Sequence, residues 1–184
     1  MIKNYDMKNE DAEVVVVLGS IFHDLGMAVM RDKHEIYSVL LAKDFIEKYL
    51  QEIYTEEEQT IICSEVLHVI VSHEDPNKPL TLEAGIVRIA DALDMEKGRA
   101  RIPFQAGRVD IHNISALSIE EVKVQKGDKK PITIKISMTN SAGIFQIDEL
   151  LKPRIENSGI KDYFYVIAEI TGEKERKIIE RFEI

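Results

Sequence analysis

The sequence has none of the features that mark a secreted or membrane-inserted protein. Only one of its 184 residues, Cys63, is a cysteine, so neither an internal disulfide nor a zinc site built from cysteines can form. The longest apolar run, residues 14–18, is far too short to cross a bilayer, and no basic and apolar leader precedes it. We therefore expect a cytoplasmic protein that makes no contact with a membrane.

Basic residues are scarce in the first part of the chain. Residues 1–103 hold 11 Lys and Arg against 20 Asp and Glu, a net charge of −9, whereas residues 104–184 hold 13 of each. An acidic surface disfavours binding to duplex nucleic acid, so we expect no partner of that kind. The composition, 45% apolar and 31% charged, is that of a folded globular protein.

The first part of the chain follows a helical period. The run at residues 14–17 also suits a buried strand, but the acidic segment before it favours a helix. This helix is apolar almost all round, which predicts a place at the centre of a bundle. Thr55 and Glu58 form a capping box for a later helix. The predicted helices run from an Asn9 cap to near Asp24, from His34 to about Leu50, from Glu56 to His73 and from Thr81 to about Glu96.

After Pro103 the apolar residues alternate with polar ones, which predicts strands. A turn at residues 127–130 joins two of them into a hairpin, and a helix capped by Ser141 and interrupted by Pro153 follows. The tail therefore has the order β-β-β-α-β-β, with strands near 109–111, 122–124, 132–138, 163–170 and 177–184. The predicted fold class is α+β: an all-α bundle over 1–103, then a small α+β domain over 104–184 with a regulatory or dimerising role.

Histidines and carboxylates occur at the ends of the predicted helices. His23 and Asp24 end the first helix, His34 begins the second, and His73 ends the third. Asp91 lies between two alanines in the fourth helix, where a charge near the core is costly unless it is paired or bound to a metal. An isolated His-Asp pair is also compatible with an ordinary solvated helix end. If the helix ends converge, imidazole and carboxylate together suit Mn, Fe, Ni, Co or Zn.

These residues occur in motifs that resemble the HD superfamily of metal-dependent phosphohydrolases. The matching segments are Phe22-His23-Asp24-Leu25-Gly26, His34, Ser72-His73-Glu74, Ile89-Ala90-Asp91-Ala92-Leu93 and Gly98-Arg99. The resemblance covers roughly residues 10–100. It implies that His23, Asp24 and Asp91 hold one divalent ion and that His34 and His73 hold a second, with Asp24 bridging. The implied cofactor is one or two ions of Mn, Ni, Co, Fe, Zn or Mg.

The sequence departs from the family pattern in two places. The family's ligand set usually begins with a histidine on a helix well before the His-Asp pair, and no histidine precedes His23. This implies either an earlier start with one more helix or a reduced homologue with an altered site. Without that helix, apolar surface near residues 14–17 is exposed, and we expect self-association into a homo-oligomer. Met27 stands where a lysine that can meet substrate phosphate is common.

Several other residues are candidates for a binding role or for a purely structural one. Arg88 and Arg99 are able to contact phosphate, although a structural salt bridge is the simpler interpretation of Arg88. His68 is expected to pack or to support a ligand rather than to be one, and Cys63 is expected in the core. Residues 140–143 form either an anion site or an ordinary helix cap.

The leading functional hypothesis is a metal-dependent phosphohydrolase that acts on a small, nucleotide-like phosphoester. Asp24 and Asp91 then help to hold and deprotonate the attacking water, and Arg99 contacts the phosphate. The alternative is a catalytically impaired HD-type module that binds a nucleotide or a protein partner. A third hypothesis, a purely structural bundle with scattered histidines, predicts that no metal copurifies.

Overall fold

The structure, a computed structural model, describes residues 5–96, 115–171 and 181–183. The chain divides into two compact units, Met1–Asp91 with Asn157–Gly159 and Ala92–Glu156 with Ile160–Ile184. Helices occupy the first and a sheet with helices the second, which confirms the α+β class. The boundary predicted at residue 103 lies outside the described residues and stays a prediction. Within the described ranges, no helix combines the length and apolarity needed to cross a membrane.

The first unit contains four α-helices among the described residues. They are α1 (Asn9–Phe22), α2 (His34–Gln51), α3 (Glu56–Ser72) and α4 (Leu82–Ala92), with a short 3-10 helix at Leu25–Ala28 between α1 and α2. The predicted Thr55–Glu58 capping box is present at the start of α3. Two predicted ends were wrong. Lys8, not Asn9, is the N-cap of α1. α4 stops at Ala92 because the next turn breaks the ladder, with the Met95 N–H bonded to the Leu93 carbonyl.

The centre of this unit is α3 rather than α1. α3 packs against both α1 and α2, and Cys63, Val66 and Ile70 lie in the core as buried side chains. On α1, Val15 and Leu18 are buried, but Val17 and Ile21 are 54% and 63% exposed. The central position predicted for α1 was therefore wrong, because among the described residues its second apolar face has no partner.

The second unit contains a four-stranded sheet in the order β1-β2-β3-β4. β1 (Ile119–Lys126) and β2 (Ile132–Met138) form the predicted antiparallel hairpin. β3 (Phe164–Ile170) runs parallel to β2, and β4 (Arg181–Glu183) is antiparallel to β3. The strand predicted near 109–111 and most of the one predicted over 177–184 lie outside the described residues.

A helical segment over residues 141–156 connects β2 to β3. Its cap is Asn140 rather than the predicted Ser141, since the Asn140 Oδ1 accepts the Ala142 N–H at 3.0 Å. The same oxygen accepts a hydrogen bond from the Ser118 hydroxyl, so this end is an ordinary cap. The helix widens to a π-turn at Ile147–Leu151 just before Pro153. This agrees with the predicted interruption, because proline has no N–H for the ladder.

Candidate metal centre

The ends of four helices meet in the first unit and bring together the histidines and carboxylates singled out in the sequence. His23 is the C-cap of α1, His34 is the first residue of α2, His73 is the C-cap of α3, and Asp91 is the last residue but one of α4. Asp24 follows His23 directly. Three of these helix ends are C-terminal, where the helix dipole is negative and favours a cation.

Each of the three imidazole rings is fixed by a hydrogen bond to a backbone carbonyl three residues earlier. The Nδ1 atom of His23 lies 2.8 Å from the Ser20 oxygen, that of His34 lies 3.0 Å from the Arg31 oxygen, and that of His73 lies 2.6 Å from the Ile70 oxygen. A carbonyl oxygen only accepts, so each Nδ1 atom must be the donor. In the neutral rings each Nε2 atom then carries no proton, and its lone pair is available to bind a cation.

The Asp24 carboxylate lies between two groups of these nitrogens. Its Oδ1 atom is 3.1 Å from the Nε2 of His34 and 3.6 Å from the Nε2 of His73. Its Oδ2 atom is 3.7 Å from the Nε2 of His23, and that nitrogen is also 3.7 Å from Oδ1 of Asp91. One oxygen of Asp24 therefore faces the His34 and His73 pair, and the other faces His23.

Solvent exposure and charge differ between the two sides of this cluster. The His34 and His73 side chains are 7% and 1% exposed, whereas Asp24 is 49% exposed. Burial lowers the pKa of His73, which favours its neutral form. The Asp91 carboxylate raises the pKa of His23. The cluster therefore has a closed histidine side and a side open to solvent at Asp24.

Glu74 is a candidate that the sequence analysis quoted in a motif without giving it a role. One of its carboxylate oxygens lies within 4.8 Å of ring nitrogens of both His34 and His73. Its position directly after His73 was the available signal, since adjacent residues at a helix end often reach the same space.

The remaining candidates lie elsewhere or outside the described residues. The Nε2 atom of His68 accepts the Leu80 N–H at 2.9 Å, which confirms the packing interpretation. Arg88 is fully buried and pairs with Asp75, so the salt-bridge interpretation is confirmed. Arg99, the predicted phosphate contact, lies outside the described residues.

Ser38 fastens the turn that carries His23 and Asp24 to α2. Its buried hydroxyl accepts the Gly26 N–H at 2.8 Å and donates to the His23 carbonyl at 2.6 Å. No local sequence signal predicts this contact, because it joins residues that are 12 and 15 positions apart.

We expect Ser38→Ala to destabilise the chain by about 1–3 kcal/mol, because a buried N–H and a carbonyl both lose their partner. Thermal unfolding of the two proteins measures this loss. Ser64→Ala, at an exposed serine of α3, is the matched control and is expected to change little. Equal melting temperatures for Ser38→Ala and wild type would contradict the role of this contact.

The helical part of the chain is similar in sequence to a known family. The sequence profile of the HD domain matches residues 2–96, half of the chain. The chain belongs to the HD domain family. Members of this family are typically metal-dependent hydrolases that bind divalent cations. The chain is also 46% identical over 175 residues to an uncharacterized protein of Methanocaldococcus jannaschii. This match covers 95% of this chain and 67% of that protein. No solved structure matches it.

The residues present in this HD domain fit a divalent cation. The Nε2 atoms of His34 and His73 lie 3.0 Å apart with no proton between them in the neutral rings. Two facing lone pairs at this distance repel each other unless a positive charge lies beside them. Ligand atoms bound at about 2.1 Å stand roughly 3.0–3.4 Å apart in octahedral or tetrahedral sites, close to the spacing of these nitrogens and Asp24.

Proposed function

We propose that the chain is a divalent-metal-dependent phosphohydrolase that acts on a small, nucleotide-like phosphoester. The observation that carries the proposal is the convergence of the Nε2 atoms of three histidines on a carboxylate whose two oxygens face different histidines. His34, His73 and Asp24 would hold one ion, and His23, Asp24 and Asp91 a second. When bound, such ions make a nearby water more acidic and offset negative charge on phosphoryl oxygens.

The exposure of Asp24 favours a catalytic site over a structural one. Structural metal sites are closed by protein ligands, whereas catalytic sites keep a position open to water or substrate. Here the histidines lie on the buried side, and the half-exposed Asp24 borders solvent. The carboxylates of Asp24 and Asp91 are then the groups that accept a proton and orient water at the open side. The proposal that the substrate is nucleotide-like rests on the resemblance to the family.

The test is elemental analysis of the purified chain, followed by a screen of phosphomonoesters and phosphodiesters with Mn, Ni, Co and Mg. We expect bound metal and turnover of at least one ester class that a chelator abolishes. Metal without turnover on any ester would favour the alternative, a catalytically impaired module that binds a nucleotide or a partner. Absence of metal, with a melting temperature that chelator leaves unchanged, would reject both.

A further inference from the structure

Arg88 is a buried cation that no step of the proposed function uses. Its side chain has no exposed surface, and it lies on α4 three residues before Asp91. A guanidinium is never neutral in a protein, so its burial needs specific partners. These partners define what Arg88 does.

Among the described residues, Arg88 contacts the last residue of α3 and the loop that follows it. Its Nη1 atom donates to the Ser72 carbonyl at 2.9 Å and to the Asn77 carbonyl at 2.8 Å, and its Nη2 atom donates to the Asp75 carboxylate. The Ser72 carbonyl belongs to the peptide bond that leads into His73. Arg88 therefore holds both ends of the segment that carries His73 and Glu74.

The same helix thus supplies Asp91 to the candidate metal centre and Arg88 to the segment that carries His73. Residues three apart on an α-helix lie on the same face, so Arg88 and Asp91 are displaced together when α4 shifts. The spacing between His73 and Asp91 then depends on the contacts between Arg88 and the loop.

Stability alone is a weak reason for this arrangement. An ion pair with a buried member is often no more stabilising than apolar residues of similar volume, because the buried charge, here Arg88, loses its hydration. However, the N–H groups of a guanidinium point in fixed directions. When they donate to two carbonyls and a carboxylate, they restrict the backbone conformation of a loop more than apolar packing can.

We infer that Arg88 is a positioning residue that holds His73 at the distance from Asp24 and Asp91 at which a divalent cation binds. The inference rests on the proposed metal centre. It predicts that loosening the loop lowers metal affinity even when the fold is retained. Outer contacts that orient metal ligands typically change affinity by about 10–100-fold when they are removed.

The experiment is a titration of Co²⁺ into the full chain after chelator treatment, followed by the visible absorption of the bound ion. Arg88→Met removes the donors at similar length, and Arg88→Lys keeps the charge without the fork. Asp75→Asn removes the charge of a half-exposed partner and keeps an amide oxygen to which Nη2 can donate. Leu50→Ala is the control: this buried residue lies 16 positions from His34, about 24 Å along α2, and its loss lowers the melting temperature without touching the loop.

We expect Arg88→Met to weaken Co²⁺ binding by about 10–100-fold. Arg88→Lys should restore part of it, Asp75→Asn should weaken binding to a smaller extent, and Leu50→Ala should leave it unchanged. All are compared at a temperature at which circular dichroism shows folded protein. Wild-type affinity in Arg88→Met, or an equal loss in Leu50→Ala, would overturn the inference while leaving the proposed function intact. If Arg88→Met does not fold, Asp75→Asn decides by the same criterion. A wild-type chain that takes up no Co²⁺ would overturn both proposals.

Discussion

Asp24→Asn is expected to remove bound metal and phosphoester turnover together. The carboxylate offers one oxygen to the Nε2 atoms of His34 and His73, at 3.1 and 3.6 Å, and the other to His23 at 3.7 Å. Asparagine keeps a single oxygen and no charge, so one of the two groups of nitrogens faces an NH₂ group. Ions of this kind contribute several kcal/mol to transition-state stabilisation, so turnover should fall on the order of 10³-fold or more.

The stability of the same variant separates loss of metal from loss of fold. Asp24 is 49% exposed, so the substitution should leave the melting temperature of chelator-treated protein within a few degrees of wild type. The increase that added metal produces in wild type should disappear, because that increase depends on binding to the folded state. Asp44→Asn, an exposed carboxylate on α2, is the matched control and should keep metal, turnover and stability. Full metal content and turnover in Asp24→Asn would refute the assigned centre.

The elements that local signals define were predictable from the sequence. The Thr55–Glu58 capping box marks the start of α3, and both residues act within one helical turn. The turn at residues 127–130 likewise joins β1 and β2 in the predicted hairpin. Such features depend on neighbours a few positions away, so a single sequence contains them.

The errors arose where two local signals compete or where packing decides. Asn140 and Ser141 are adjacent and both suit a cap, and the structure shows that Asn140 is used, since its Oδ1 accepts the Ala142 N–H and also contacts the distant Ser118. The prediction of burial for α1 was too high, because an apolar face of a helix does not show that another element packs against it. Val17 and Ile21 remain exposed on the face that the described helices leave uncovered.

For the candidate centre, the residue types and their places on the helices were predictable, but the contacts between individual atoms were not. The sequence placed His23, Asp24, His34 and His73 at helix ends and Asp91 within the fourth helix, and the structure brings all five together. Which oxygen of Asp24 faces which nitrogen depends on the crossing of helices distant in sequence. The role of these five residues as ligands stays a prediction until metal is measured.

Gly26→Ala should disrupt both the fold and the metal centre. A Cβ atom at this position would lie 2.1 Å from the His34 carbonyl oxygen and 2.6 Å from the Ser38 backbone nitrogen. Both neighbours are backbone atoms of α2, which cannot move aside as a flexible side chain can. The start of α2 must therefore shift away from the turn that carries Asp24, and His34 shifts with it.

The expected cost of Gly26→Ala is about 3 kcal/mol or more, because overpacking against backbone exceeds the usual strain of a larger core side chain. In a chain of this size that corresponds to a melting temperature lower by about 6–12 °C. Ala28→Ser, an exposed position in the same 3-10 helix, is the control for a substitution in this turn. Metal titration of the folded fraction then tests the site itself: affinity should fall in Gly26→Ala and not in Ala28→Ser. Wild-type stability and metal affinity in Gly26→Ala would mean that the close approach of this turn to α2 does not set the position of His34.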